Sequence, residues 1–164
     1  MTYYCHEQRQ TEARKEETEE SKAVGKVGQM STLLKDRTVM VVEDDADTRE
    51  LLRFVLQESG ANVVAVASVD AAFGTYRQNP PHAVIADIRL GRSDGYALIK
   101  AIRDTDEEYR GFTPAIAVTG FASPDDEERA MAAGFNAYIT KPFDPAQVVT
   151  TLGKLLSRSG DLAA

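Results

Sequence analysis

The stretch VMVVEDD, residues 39–45, runs an apolar segment straight into Glu43, Asp44 and Asp45. Two unit charges about 4 Å apart repel by roughly 4 kcal/mol at an effective dielectric near 20. Taken alone, such a run therefore reads as a solvated loop. Other apolar runs of the chain also end in residues able to do chemistry: HAVIAD closes on Asp87, AIAVT on Thr119 and AYITK on Lys141. If these ends share one edge of a sheet, three carboxylates meet a hydroxyl and an ammonium. Carboxylates gathered in this way need a cation among them, and hard oxygen ligands with water positions left open suit Mg2+. A hydroxyl and an ammonium aimed at the same place accept an anion. A site holding both is suited to phosphoryl chemistry.

The elements that must position these residues are visible from Thr38 onward. Five unbroken apolar runs appear, TVMVV, NVVAVA, HAVIAD, PAIAVT and NAYIT. Unbroken runs are expected of strands covered on both faces, the condition of a parallel sheet. Between them lie helix-length segments. DTRELLRFVLQESG sets Leu51, Leu52, Val55 and Leu56 on one face and ends in Gly60, a C-terminal signal. SVDAAFGTYRQN is a shorter helix capped by Ser68 and weakened by Gly74,. DGYALIKAIRDT presents Leu98, Ile99 and Ile102. SPDDEERAMAAG has a Ser123 cap, Pro124 in the first turn, early acidic residues and Gly134 at its end, and DPAQVVTTLGKLL repeats the cap-then-proline device with Asp144 and Pro145,. Five strand-then-helix repeats imply an α/β fold, a five-stranded parallel sheet with helices on both faces, doubly wound in the flavodoxin-like manner. In such folds ligands collect at the carboxyl ends of the strands. Glu43, Asp44, Asp87, Thr119 and Lys141 all fall at that edge.

Composition narrows the partners. At 164 residues, 43% of them hydrophobic, the chain holds one core with some surplus,. Residues 1–35 carry six basic and six acidic side chains, so the net charge of −7 belongs to the remainder. An acidic domain is poorly suited to nucleic acid, whose phosphates call for Lys/Arg clusters. No apolar stretch approaches the roughly 18 residues of a membrane span, and the N-terminus lacks the apolar centre of a signal peptide. The lone Cys5 forms no internal disulfide and suits a cytoplasmic setting; beside His6 it does not make a metal site,. Residues 1–35 are too polar to bury a core and are expected to be a flexible charged tail, with a fraying helix over roughly 11–23. Met30 is an alternative start, since folded signals begin shortly after it.

These pieces together closely resemble the receiver domain of bacterial two-component response regulators. The resemblance rests on VVEDD, ADIRLGRSDG, AVTG and YITKPF and covers residues 36–157, leaving 158–164 as a short C-terminal tail. It implies that Glu43 and Asp44 help bind Mg2+, that Asp87 is both the phosphorylated residue and a metal ligand, and that the backbone carbonyl of Arg89 completes the protein ligands. It implies that Thr119 and Lys141 contact the phosphoryl oxygens and that Tyr138 is an aromatic switch residue. Asp45 is then a neighbour, or a cap for the first long helix. Asp87 would take a phosphoryl group from a histidine kinase or histidine phosphotransfer protein, held in line for attack. An aspartate is ionised at neutral pH, so no general base is required. The protein is thus expected to be a phosphoacceptor that assists its own phosphorylation and dephosphorylation rather than an enzyme. Arg89 and Phe121 flank the path of attacking water and are expected to slow hydrolysis. Gly91 stands where the family most often has proline, which frees the loop after Asp87.

Other readings are weaker on the residues. A flavodoxin-like electron carrier needs a phosphate-binding loop after the first strand, where this chain is acidic. A haloacid-dehalogenase-like phosphatase wants a second Asp two residues beyond the nucleophile, and position 89 is Arg. After Leu156 only SRSGDLAA remains, so the expectation is a single-domain response regulator acting through protein contacts, with a receiver module of a hybrid histidine kinase as the alternative. Its output face is expected on the fourth helix, fifth strand and fifth helix. The SPDDEE start of the fourth helix makes one end of that face acidic and favours a basic partner.

Overall fold

The computed structural model describes residues 33–162, apart from 92, 110 and 121. The expectations for the tail, including Cys5, Met30 and the helix over 11–23, fall outside the described residues. In chain order the elements are β1 (Thr38–Val42), α1 (Ala46–Glu58), β2 (Asn62–Val66), α2 (Val69–Gln78), β3 (Ala83–Ala86), α3 (Gly95–Tyr109), β4 (Ala115–Thr119), α4 (Pro124–Ala133), β5 (Ala137–Thr140) and α5 (Pro145–Leu162). The five strands form one sheet, paired in parallel in the order β2-β1-β3-β4-β5. The chain leaves β1 for β2 on one side and returns to place β3 on the other. The crevice between β1 and β3 is therefore the topological switch point.

Side chains alternate across the sheet and build two cores. On one face Val39, Val41, Ile85, Ile116, Val118 and Ile139 pack with Leu52 and Leu56 of α1 and Val148, Val149, Leu152 and Leu156 of α5. On the other, Met40, Val42, Val84, Ala86 and Ala117 pack with α2, α3 and α4. The three central strands are buried along nearly their whole length, whereas the edge strand β2 is half-buried from Val63 to Val66.

Local chemistry sets the helix ends. Asp45 caps α1 by accepting a hydrogen bond from Thr48 N at 2.8 Å, and Ser68 and Ser123 cap α2 and α4 in the same way,. Gly60 follows Ser59, the cap at the end of α1, with φ +93°, and Gly134 ends α4 with φ +122°,.

Three sequence expectations need correction. Leu51 does not share the buried face of α1; it is 44% exposed, while Leu52 and Leu56 are buried and Val55 half-buried. The buried stripe is the narrower one formed by positions four apart. Leu34, which charge pattern alone assigns to the tail, is fully buried in the α1–α5 core, and its N–H donates to Ser59 O at 3.1 Å. Helix α5 continues to Leu162 rather than stopping near 157.

A buried polar cluster lies where α2 meets α3. The Tyr76 hydroxyl donates to Asp106 Oδ1 at 2.7 Å and lies 2.6 Å from the Thr113 hydroxyl, which itself donates to Asp106 at 2.8 Å. Burial pushes the Tyr76 phenol up to about 12, and the neighbouring Asp106 adds to that effect,.

Candidate functional site

The site is built at the carboxyl ends of β1, β3, β4 and β5, where parallel register brings four distant segments together. Glu43 follows β1 and is 1% exposed, whereas its neighbour Asp44 is exposed. Asp87 follows β3 and is 6% exposed. One carboxylate oxygen from each of Glu43, Asp44 and Asp87 lies within 4.8 Å of the others. Lys141, just after β5, is 2.7 Å from Glu43 Oε2 and 2.7 Å from Asp87 Oδ2. Its ammonium bridges two carboxylates that would otherwise repel.

The second oxygen of each acid is also held. Glu43 Oε1 accepts from Asp45 N at 3.1 Å, and Asp87 Oδ1 accepts from Arg89 N at 2.9 Å. Burial raises the Glu43 carboxyl pKa above the ordinary glutamate value, against the opposing pull of Lys141. Burial also disfavours a charged Lys141, yet hydrogen bonds to Asp87 and Glu43 carry its pKa above that of an ordinary lysine,. Thr119 is fully buried at the end of β4, and its carbonyl accepts from Lys141 N at 2.8 Å. Tyr138 of β5 pairs with Ala117 of β4 and is half-buried beside the second core. Its phenol is raised, first by burial and then by Asp126, Tyr96 and Glu127.

The loop after Asp87 is more ordered in form than the glycine at 91 suggests. Arg89–Leu90 and Ser93–Asp94 pair as a short antiparallel bridge, and Gly91 takes φ +59° in the turn between them. A side chain is disfavoured there for conformational reasons. Gly95 returns the chain onto the Asp87 segment: its N–H donates to Ile88 O at 2.8 Å, and a Cβ on it would lie 2.5 Å from Asp87 O.

Glu43, Asp44, Asp87, Arg89, Thr119 and Lys141 all lie at this one edge, whereas Tyr138 sits near the start of β5. Phe121 falls outside the described residues. Sequence reasoning missed Arg49, whose Nη1 donates to Glu43 O at 2.8 Å and Asp44 O at 3.2 Å. It thereby pins the acidic loop to α1. The available signal was an arginine in the first turns of a helix, where the macrodipole disfavours a cation.

Three hard carboxylate oxygens converging beside a partly open loop match the donor chemistry that Mg2+ prefers,. Among the described residues, no helix is long and apolar enough to cross a membrane.

Comparison with known proteins agrees with this geometry. Residues 39–153 match the family model described as response regulator receiver domain. A protein of Leptolyngbya boryana, named as an uncharacterized 14.6 kDa protein in the sodA1 3' region, is 38% identical over 112 residues, covering 68% of this chain and 83% of the relative. The polar-differentiation response regulator DivK of Brucella ovis is 35% identical over 120 residues, covering 73% of this chain and 96% of that protein. Among solved structures, a putative response regulator from Chloroflexus aurantiacus superposes with a TM-score of 0.69 at 31% identity, covering 75% of this chain and 99% of that one.

Proposed function

Because the chain belongs to the response regulator receiver family, we propose that it is the phosphoacceptor of a two-component phosphorelay, modified on Asp87. The observation that carries this reading is the convergence of Glu43, Asp44 and Asp87 with Lys141 between two of them. The donor is a histidine kinase or histidine phosphotransfer protein in the cytoplasm. A carboxylate oxygen of Asp87 forms the new O–P bond while the P–N bond to the donor imidazole breaks, and the imidazole keeps the electron pair. Lys141 is freed from Asp87 as that carboxylate becomes an acyl phosphate, and its ammonium turns to the phosphoryl oxygens with the Thr119 hydroxyl. Glu43, Asp44, Asp87 and the Arg89 carbonyl would hold Mg2+, which when bound offsets charge on the transferred oxygens.

The message would leave through Thr119 and Tyr138. Drawing the Thr119 hydroxyl toward the phosphoryl group opens space beside β4, which the half-buried Tyr138 ring can fill. The surface of α4, β5 and α5 then changes for a downstream protein with a basic patch. The receiver would then signal through protein contact.

The deciding experiment is intact mass after incubation with acetyl phosphate and Mg2+. Wild type should gain one phosphoryl group; Asp87→Asn or removal of Mg2+ should abolish the gain. Labelling of the Asn variant at the wild-type rate defeats the assignment. Thr119→Ala and Tyr138→Ala should still bind beryllofluoride but lose most of the activated-state affinity for the downstream partner.

A further inference from the structure

Far from the acidic cluster, at the opposite ends of β4 and β5, one guanidinium collects the starts and ends of four segments. Arg103 of α3 donates to Gly134 O from Nε at 3.0 Å and from Nη2 at 2.8 Å. Nη1 reaches Asp106 Oδ2 at 2.6 Å and Thr113 O at 2.7 Å, and Nη2 reaches Asn136 Oδ1 at 3.0 Å. The same Asn136 oxygen accepts from Ala115 N at 2.8 Å, while Asn136 N donates to Ala115 O at 2.8 Å. The guanidinium also lies 4.8 Å from the centre of the Phe112 ring,. Arg103 thus ties the carbonyl of Gly134, the cap of α4, to Thr113, two residues before β4, and to Asn136, the residue before β5, which in turn holds Ala115. The approach is close enough that a Cβ at Gly134 would lie 3.0 Å from Arg103 Cγ.

The other end of α4 is held differently. From Pro124 to Arg129 all residues are exposed except the half-buried Asp126, while Ala130 and Phe135 are in the core. Near that end α4 meets α3 through Arg129, whose guanidinium lies 5.1 Å from the Tyr96 ring at the start of α3. An exposed cation–ring contact is weak beside several charge-assisted hydrogen bonds to one fork.

We propose that Arg103 is a positioning residue, the fulcrum of the conformational switch: it fixes the ends of α4, β4 and β5 that lie away from Asp87. This rests on the phosphoacceptor reading above. Movement begun at Thr119 and Tyr138 then cannot slide α4 as a whole. It swings the N-terminal half, the part carrying Asp125, Asp126 and Glu127, about a fixed Gly134. A point charge cannot hold Gly134 O, Thr113 O and Asn136 Oδ1 together as a planar fork does,, so Arg103→Lys keeps the charge and loses the fulcrum.

The test uses the full chain, as wild type, Arg103→Lys and Arg103→Gln, with residue-resolved amide spectra before and after Mg2+ and beryllofluoride. In wild type, shift changes should be large over 122–129 and at least threefold smaller over 132–136. In both variants they should spread into 132–136 and to Ala115 and Ala137. Amides of 130–136 should exchange at least tenfold faster even without beryllofluoride, while phosphoryl uptake from acetyl phosphate stays within twofold of wild type. If Arg103→Gln does not fold, Arg103→Lys carries the comparison. Equal responses at both ends of α4 in wild type, or a wild-type pattern in a folded variant, overturn the proposal. No response to beryllofluoride near Asp87 in any protein overturns the phosphoacceptor reading and the switch role with it.

Discussion

Lys141 stands 2.7 Å from both Glu43 and Asp87, in the middle of a cluster of negative charge. Removing its ammonium leaves two buried carboxylates facing one another without a counter-charge. Lys141→Met should therefore cost about 2–4 kcal/mol in the absence of divalent cation. Mg2+ should return part of that loss, so urea unfolding with Mg2+ and with chelator should differ more for the variant than for wild type. A variant as stable as wild type in chelator would show that the bridge contributes little. Tyr76 offers a second test at this scale. Its folded pKa of about 12 lies above the ordinary phenol value of 10.0, so the unfolded chain loses the phenolic proton first as pH rises. The stability associated with the protonated phenol is complete below pH 10 and falls between about 10 and 12, by roughly 2–3 kcal/mol for a two-unit shift. Tyr76→Phe should flatten that part of the stability–pH curve relative to wild type, as measured by denaturant unfolding. The site was legible residue by residue because Glu43, Asp87, Thr119 and Lys141 each end an apolar run. Tyr76 and Arg103 were not, since their partners lie 30 to 37 and up to 33 positions away and no local pattern marks them.

Among the elements, the segment between β3 and α3 is the one whose backbone carries Asp87, the proposed acceptor. Gly95 closes it by passing so near Asp87 O that a methyl group would sit at 2.5 Å, against backbone rather than a yielding side chain. Gly95→Ala should shift the acceptor segment, destabilise the fold by about 1–3 kcal/mol, and slow phosphoryl uptake by at least tenfold at full Mg2+. Uptake at the wild-type rate in the folded variant would show that the segment moves without disturbing Asp87. Caps and breakers made α1, α2 and α4 readable in sequence: Asp45, Ser68 and Ser123 accept the hydrogen bonds their residue types foretell. The small bridge around Gly91 was not readable, because a turn of that length has no periodicity. Leu51 misled for a related reason. A run of two leucines marks a buried stripe without saying where the stripe ends.

Across the whole molecule the alternation of strand and helix was enough to give the sheet and the edge where its chemistry gathers. Charge pattern was a poorer guide to where the folded part begins. Leu34 lies within a polar stretch yet is fully buried between α1 and α5. Leu34→Ala should cost about 2–4 kcal/mol, measurable as a lowered urea midpoint with unchanged phosphoryl uptake per folded molecule; an unchanged midpoint would return Leu34 to the tail. The hydrogen bond from Lys141 to Glu43 joins positions 98 apart, through an edge strand that pairs with β4 alone. No fragment of the chain that stops short of β5 can therefore place Lys141 between Glu43 and Asp87. On the phosphoacceptor reading, a chain still emerging from the ribosome, or one whose last strand has peeled away under stress, would lack Lys141 beside Asp87 and so stay silent. On the proposed reading, phosphoryl uptake would therefore also report that β5 is in place.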